Sequence, residues 1–209
     1  MPMAQMVDVA KPIILASGSS TRRTMLMQAG VAFTIEPARI VETAIRDELL
    51  RRDPVATPQE IALMLASAKA RDVSERNGGA LVVGSDQILN IGATLLTKPV
   101  DRAAAAETLV HLRGRRHQLH AAAAIAIDGR IVWSTVDTAI LTMRRFSDEF
   151  LEQYLDAEGD SLMEAVGAFK LEGRGLQLFE RIEGDYFTIL GMPLLPVLAE
   201  LRAQGAIIS

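Results

Sequence analysis

The sequence predicts a mixed α/β fold, because segments with helical and with strand periodicity alternate along its 209 residues. An apolar run at residues 13–16 ends in the turn Ser17-Gly18-Ser19-Ser20-Thr21, after which a helix begins. Asp128-Gly129 joins two long strand-like segments and is the strongest hairpin signal in the chain. A strand that passes into a helix, together with a long antiparallel hairpin, predicts a mixed sheet flanked by helices.

In the first half of the chain, end signals place most elements. Thr57-Pro58-Gln59-Glu60 is a capping box with proline at the first helical position, and Asp101 caps a later helix. Residues 39–53 are charged and irregular, and we expect a loop or short helix on the rim of a site. Strands are predicted at residues 12–16, 32–36 and 81–84, a short hairpin at 88–96, and helices at 21–29, 57–76 and 101–113.

In the second half, the pattern predicts a hairpin, a loop-rich segment and a closing helix. Ser147 caps a short helix, and Gly184 separates two strand-like segments. Strands are predicted at 117–127, 130–143, 176–182 and 186–190, helices at 148–157 and 192–204, and loops at 159–175.

Composition narrows the class of protein. The chain is 49% hydrophobic and 23% charged, so it can bury a core as a single domain, and we expect residues 1–11 to form a flexible tail. The net charge of −4 argues against a broad nucleic-acid surface. There is no cysteine, no run long enough for a transmembrane helix and no signal-peptide pattern, which fits the cytoplasm.

The turn after the first strand has the pattern of an anion site. Free backbone N–H groups and the positive end of a helix dipole converge there, and Ser17 and Thr21 add hydroxyls. Arg22 and Arg23 could add guanidinium groups for phosphate oxygens. A solvated arginine pair on an ordinary helix start is an equally good interpretation of this segment alone.

Four more charged residues lie beside turns or element ends. Asp86 follows an apolar strand, where it could hold a divalent cation or accept a proton from water. Lys69 has small neighbours on its helix, Lys98 precedes a proline, and Glu42 lies in the charged segment. Each has an ordinary alternative as a turn or surface residue. Together with the arginines they match the needs of a metal-bound polyphosphate.

The histidines do not have metal-ligand spacing. His117 and His120 are three residues apart in a predicted strand and therefore point to opposite faces, and His111 lies on a helix. The chain also lacks a GxxxxGK[ST] phosphate loop and a GxGxxG dinucleotide motif.

An ordered set of motifs along the chain resembles the Maf family, the septum-formation-inhibitor-like nucleoside triphosphate pyrophosphatases. The resemblance covers residues 13–201, and its specificity comes from the order of the motifs. They are LASGSSTRR (15–23), the Glu42 segment, LASAKA (65–70), VVGSDQ (82–87), TKP (97–99), LRGRRHQ (112–118) and VGAFKLEGRGLQLFERIEGDYFTILGMPL (166–194).

The resemblance implies a single Maf-like domain over residues 1–209. Its fold would be a two-lobed α/β structure with a central cleft, similar to inosine triphosphate pyrophosphatases. It also implies hydrolysis of a nucleoside triphosphate to the monophosphate and pyrophosphate in the cytoplasm, by a homodimer using Mg²⁺ or Mn²⁺. No nucleic-acid or membrane partner is implied.

Matched motif by motif, the resemblance assigns roles to individual residues. Asp86 matches the family's proton acceptor, and Arg22, Lys69 and Lys98 match phosphate-contacting positions. Glu42 matches an acidic residue near the metal, so that Glu42 and Asp86 would hold the cation.

Two subgroups of the family differ in substrate. Gln87 after the aspartate, Lys170 and Glu172 in FKLEG, and the later FER segment resemble the 7-methyl-GTP pyrophosphatases rather than the dTTP/UTP type. Glu172 would accept hydrogen bonds from a guanine-type base edge. Ser20 and Thr21 depart from the family, which has proline and then arginine or tryptophan there, and threonine cannot stack on a methylated base. Two alternatives stay open: a dTTP/UTP-type enzyme, and a nucleotide-binding regulator of septum formation that needs no hydrolysis.

Overall fold

A computed structural model describes residues 11–208 of the chain, so the predicted tail lies outside the described residues except for Lys11. Within residues 11–208, seven strands form one sheet, and seven α-helices flank it. The strands are β1 Ile13–Leu15, β2 Thr34–Ile35, β3 Leu81–Ile91, β4 Thr94–Leu96, β5 Arg116–Ile127, β6 Arg130–Met143 and β7 Phe179–Glu183. The helices are α1 Ser20–Gln28, α2 Glu42–Arg52, α3 Pro58–Ser74, α4 Arg102–Leu112, α5 Asp148–Glu158, α6 Tyr186–Leu190 and α7 Leu194–Ala203, with 3₁₀ turns at Gly159–Glu164 and Arg174–Leu178.

The strand order is β2-β1-β3-β5-β6-β7, and β4 also pairs with β3. Strands β2, β1 and β3 are parallel, whereas β5, β6 and β7 continue the sheet in antiparallel fashion. The hairpin at Asp128-Gly129 joins β5 to β6, and Asp128 adopts the positive φ (49°) that such a turn requires. The predicted mixed α/β fold is therefore confirmed.

Strand β3 has an interruption along one edge. Its first residues, Leu81–Val83, pair with β1, and its last, Leu89–Ile91, pair with β4, while β5 runs along the whole opposite edge. Residues 84–88 therefore have no β-ladder partner on the β1/β4 side within residues 11–208. Asp86 lies in this gap, in the middle of the strand rather than beyond its end, which corrects the prediction that the strand stops at residue 84.

Helix α3 packs unusually close to the sheet because its inner face consists of small residues. Ala62, Ala66 and Ala70 meet alanines 122, 124 and 126 of β5 in one buried cluster. On β3, a Cβ added at Gly84 would lie 2.3 Å from the Ala66 carbonyl oxygen. Only glycine fits at that position, and the close approach decides how far a side chain of α3 reaches over the strand.

Two larger apolar clusters occupy the ends of the sheet. One lies between α4, α5 and the second half of β3, and the other lies between α1, α7 and its first half. This arrangement matches the predicted two lobes. The similarity to inosine triphosphate pyrophosphatases stays a prediction.

The prediction from the sequence is wrong for one element, at residues 186–190. Residues 186–190 were expected to form a strand because Tyr-Phe-Thr-Ile-Leu is rich in β-formers, but they form the short helix α6. The Asp185 side chain accepts a hydrogen bond from the Thr188 N–H (3.0 Å), and Gly191 ends the helix with φ 108°. These two caps override the propensity of the five residues between them.

Replacing Gly84 by alanine should destabilise the fold by about 3 kcal/mol, because the new methyl group overlaps backbone atoms of α3 that cannot move independently. Urea unfolding measures the change. Gly78→Ala is the matched control, since its Cβ would meet only Asp128 Oδ1 at 3.7 Å. Equal stability of the two variants would show that the helix tolerates a wider spacing.

Candidate active site

A cleft of about 780 Å³ opens at the gap in β3. Charged side chains from α1, α2, α3 and β3 form one part of its lining, called the charged end below. Mainly apolar residues of the 163–172 loop form another part, called the apolar end. The volume is in the range of small-molecule sites. The two ends therefore offer different chemistry to one ligand.

The β1–α1 turn fixes an arginine at the charged end. Arg22 donates from Nε to the Gly191 carbonyl (2.9 Å) and from Nη1 to Ser17 Oγ (3.3 Å). Ser19 caps α1 by accepting from the Arg22 backbone N–H (3.4 Å). The Ser17 hydroxyl also accepts from the Ser19 N–H (3.2 Å). The turn thus presents helix N–H groups and a held guanidinium to the cleft, as an anion site requires.

Lys69 links two carboxylates at the centre of the charged end. Its Nζ lies 2.5 Å from Asp86 Oδ1 and 2.7 Å from Glu42 Oε1. Asp86 and Lys69 are only 6% and 8% exposed, whereas the Glu42 side chain is 52% exposed. One ammonium group therefore joins a buried acid in the strand to an accessible acid on α2.

Burial and neighbouring charges shift the pKa values of Asp86 and Glu42 in opposite directions. Burial raises the pKa of Asp86 above its ordinary value of 3.8, and the charges of Lys69 and Arg22 only partly offset this. Partial burial would also raise the pKa of Glu42, but the hydrogen bond and charge of Lys69 lower it overall. Asp86 is therefore the stronger base of the pair.

Lys98 completes the charged end from the segment after β4. Partial burial lowers the pKa of its ammonium group, and the charge of Arg22 lowers it further. Glu42 and Asp86 act on it in the opposite direction. Arg22, Lys69 and Lys98 therefore all act electrostatically on the two carboxylates.

Gln87 and Ser85 point to the other face of β3 and hold the end of α6. The Gln87 amide nitrogen donates to the Thr188 and Ile189 carbonyls, both at 3.0 Å. Ser85 Oγ lies 3.0 Å from the Gly191 carbonyl, which also accepts from Arg22. Because its nitrogen is engaged in this way, Gln87 offers only its carbonyl oxygen to a ligand.

The apolar end is shaped by a strained loop. Ala168 is fully buried with φ 56°, a backbone conformation that costs about 1 kcal/mol for alanine. The Tyr154 hydroxyl donates a hydrogen bond to the Ala168 carbonyl (3.3 Å). Beyond Ala168, Phe169 turns its ring onto Phe179 at 4.8 Å, while Lys170 pairs with Glu164 at 2.5 Å. The loop thus supplies both an aromatic wall and charged groups.

His117 lies behind this wall. Its ring centroid is 5.9 Å from that of Phe169 and 6.0 Å from that of Phe179, and neither ring nitrogen has a hydrogen-bond partner among the described residues. Burial lowers the pKa of His117 from 6.5 to about 4. His120 bonds Asn90 and Thr138 on the opposite face, so the predicted orientation of the two histidines is confirmed.

Most of the predicted site residues converge on the cleft. Ser17 lies behind the lining and acts through Arg22, whereas Arg23 is exposed on α1 and does not line the cleft, because consecutive helix residues point about 100° apart. The lining includes Thr21, Arg22, Glu42, Lys69, Asp86, Gln87, Lys98, Lys170 and Glu172.

Sequence reasoning missed Arg46 and Phe169, which also line the cleft. Arg46 could have been found from its spacing, because it lies one helical turn after Glu42. Phe169 gave no separate signal, since an aromatic residue in a loop is not distinguishable from ordinary core.

The donor set limits how a cation could bind. No group of three or more His, Asp or Glu side chains suited to a metal occurs within residues 11–208. Glu42 and Asp86 provide two carboxylates near one point. This set fits Mg²⁺, which binds through one or two carboxylates and takes its other ligands from water and substrate phosphates.

The comparisons identify the family. A family model described as "Maf-like protein" matches residues 12–204. A "7-methyl-GTP pyrophosphatase" of Mesorhizobium japonicum is 47% identical over 95% of this chain and 99% of its own length. A "Nucleoside triphosphate pyrophosphatase" of Nitrobacter winogradskyi is 49% identical over 93% and 95%. The chain belongs to the Maf-like family, which confirms the resemblance drawn from its motifs.

A second relative named "7-methyl-GTP pyrophosphatase", from Rhizobium meliloti, is 48% identical over 94% of this chain and 98% of its own length.

No helix in the described part of the chain is long and apolar enough to cross a membrane.

The buried His117 should make stability depend on pH. Between about pH 6.5 and 4 the unfolded chain binds a proton that the folded protein does not, so stability falls as the pH falls, by up to about 3 kcal/mol from this residue. Chemical unfolding at a series of pH values should show a smaller loss for His117→Leu. His111→Gln, at an exposed position, is the control. Parallel curves for wild type and His117→Leu would contradict the assignment.

Proposed function

We propose that the protein hydrolyses a nucleoside triphosphate to the monophosphate and pyrophosphate. The observation that carries the proposal is the buried Asp86 carboxylate, held by Lys69 in a cleft whose charged end also presents Arg22 and Lys98. Two relatives of this chain are named for the same class of activity, which supports the proposal.

Each residue has a role in this reaction. A water oxygen bonds to the α-phosphorus as the bond to the β-phosphate oxygen breaks, and Asp86 takes the proton of the water. The raised pKa of Asp86 suits it to this task better than an ordinary aspartate. Arg22, Lys69 and Lys98 offset the charge on the phosphate oxygens as pyrophosphate leaves.

The divalent cation belongs to the same proposal. Glu42 and Asp86 would hold Mg²⁺ or Mn²⁺ together with substrate phosphate oxygens, and a bound cation supplies positive charge and acidifies the attacking water. Lys69 would then exchange its contacts with the carboxylates for contacts with phosphate.

For the base, we propose 7-methyl-GTP as the preferred substrate. Glu172 lines the apolar end of the cleft, where it can accept hydrogen bonds from a guanine edge, and Gln87 offers a further acceptor. Thr21 also lines the cleft, at the position where it departs from the family pattern. The homodimer and the cytoplasmic location that the family implies stay predictions.

Asp86→Asn should lower kcat for pyrophosphate release by about 100-fold or more, because the variant lacks the proton acceptor. Its thermal unfolding should shift downward only modestly, since the buried Lys69 loses one partner but keeps Glu42. Asp160→Asn, at an exposed position, should behave like wild type. Normal turnover by Asp86→Asn, measured with 7-methyl-GTP and Mg²⁺, would remove Asp86 from the mechanism.

Glu172→Gln should lower kcat/KM for 7-methyl-GTP by about 10-fold or more and leave that for UTP nearly unchanged, because a charge-assisted acceptor for the guanine edge is lost. Glu180→Gln provides the control, as Glu180 is exposed on β7 and does not line the cleft. A parallel loss for both nucleotides would show that Glu172 does not read the base.

A further inference from the structure

Arg46 is a cleft-lining cation that the mechanism above does not use. It lies on α2, four residues after Glu42, so both side chains project from the same face of the helix. Since a helix rises 1.5 Å per residue, the backbone position of Arg46 lies about 6 Å along the helix axis from that of Glu42, whose carboxylate meets Lys69.

The guanidinium of Arg46 is only weakly engaged. Its Nε and Nη2 both lie 3.3 Å from Asp47 Oδ1, on the adjacent residue, and the Asp47 side chain is 63% exposed. A long ion pair with one exposed partner contributes little. The Arg46 side chain itself is 27% exposed, so it is partly withdrawn from solvent and can exchange Asp47 for a better anion.

The other charges of the cleft indicate which part of a nucleotide Arg46 would meet. The charges acting most strongly on Asp86 are those of Lys69, Arg22 and Glu42. Those acting on Glu164, in the loop at the apolar end, are Lys170 and Lys98. Arg46 also lines the cleft but is in neither group. It therefore adds a positive charge to the cleft beyond those that act on Asp86 and on Glu164.

The balance of charges in the cleft also indicates a role for a further cation. Around the attacked phosphorus, Asp86 and Glu42 offset two of the three cations Arg22, Lys69 and Lys98. A triphosphate brings several negative charges, and those on its terminal group need a further partner. A guanidinium matches phosphate oxygens in two-point geometry.

We propose that Arg46 binds the terminal phosphate of the substrate and thereby selects triphosphates and retains pyrophosphate. The inference rests on the proposed function for the direction in which the nucleotide lies in the cleft. It assigns α2 two tasks one turn apart: Glu42 contacts Lys69 near the reacting phosphorus, and Arg46 holds the far end of the phosphate chain.

Isothermal titration tests this without turnover. The probes are inorganic pyrophosphate, guanosine 5′-(α,β-methylene)triphosphate, whose α,β bridge is not hydrolysed, and GMP, each with Mg²⁺. In Arg46→Ala, we expect Kd for pyrophosphate and for the triphosphate analogue to rise about 10- to 100-fold, the loss typical of one charged contact. Kd for GMP should change less than twofold, and Arg46→Lys should restore part of the binding.

Arg51→Ala is the matched control, because Arg51 lies on the same helix, pairs with Glu48 and does not line the cleft. Unchanged analogue binding by Arg46→Ala, or an equal loss for GMP, would overturn the proposal. Failure of wild-type protein to bind pyrophosphate or the analogue would overturn it as well. Arg46-dependent binding without any turnover by wild type would instead contradict the proposed hydrolysis and leave this inference standing.

Discussion

The close approach of α3 to the sheet is the constraint on which the rest of the site depends. Alanines on α3 and β5, together with Gly84, remove the side-chain volume that normally separates a helix from a strand. Lys69 leaves α3 one residue before Ala70 and meets Asp86, two residues after Gly84. With larger residues in these layers the helix axis would stand farther away, and the short contact between the ammonium and carboxylate groups would be lost. Packing of the smallest side chains thus sets the geometry of the most polar group in the protein.

This packing buries the charged groups of Asp86 and Lys69, which costs free energy of folding. Breaking a buried ion pair by removing one partner typically costs several kcal/mol, because the other charge is left without compensation. Here the cost is limited by two features. Lys69 has a second partner in the accessible Glu42, and the gap in β3 leaves Asp86 facing a cleft rather than closed core. A buried acid with a raised pKa adjoins a space that a ligand can enter, which is the arrangement typical of catalytic rather than structural carboxylates.

Elements with strong local signals could be predicted from the sequence, and arrangements that depend on tertiary contacts could not. The Thr57–Glu60 capping box and the Asp128-Gly129 hairpin both occur as expected. Residues 186–190 were misassigned because five β-forming residues outweighed the caps at Asp185 and Gly191. The charged set at the cleft was found from motifs, yet the link from Lys69 to Glu42 required knowledge of how α2 lies against α3. Arg23 was placed with Arg22 because sequence adjacency does not reveal which side of α1 faces the cleft.

The two ends of the cleft differ in how firmly the fold determines them. At the charged end, Asp86 and Lys69 belong to a long strand and a long helix packed through their smallest residues, so small changes there are felt throughout the sheet. At the other end, the lining comes from a loop that depends on one left-handed alanine and an aromatic contact between Phe169 and Phe179. Substitutions in such a loop can alter the shape offered to a base without disturbing the ladder. Relatives of nearly equal identity to this chain carry one specific name, 7-methyl-GTP pyrophosphatase, and one general name, nucleoside triphosphate pyrophosphatase. A charged end held by the sheet and an apolar end built by a loop allow the lining of one end to change while that of the other is kept.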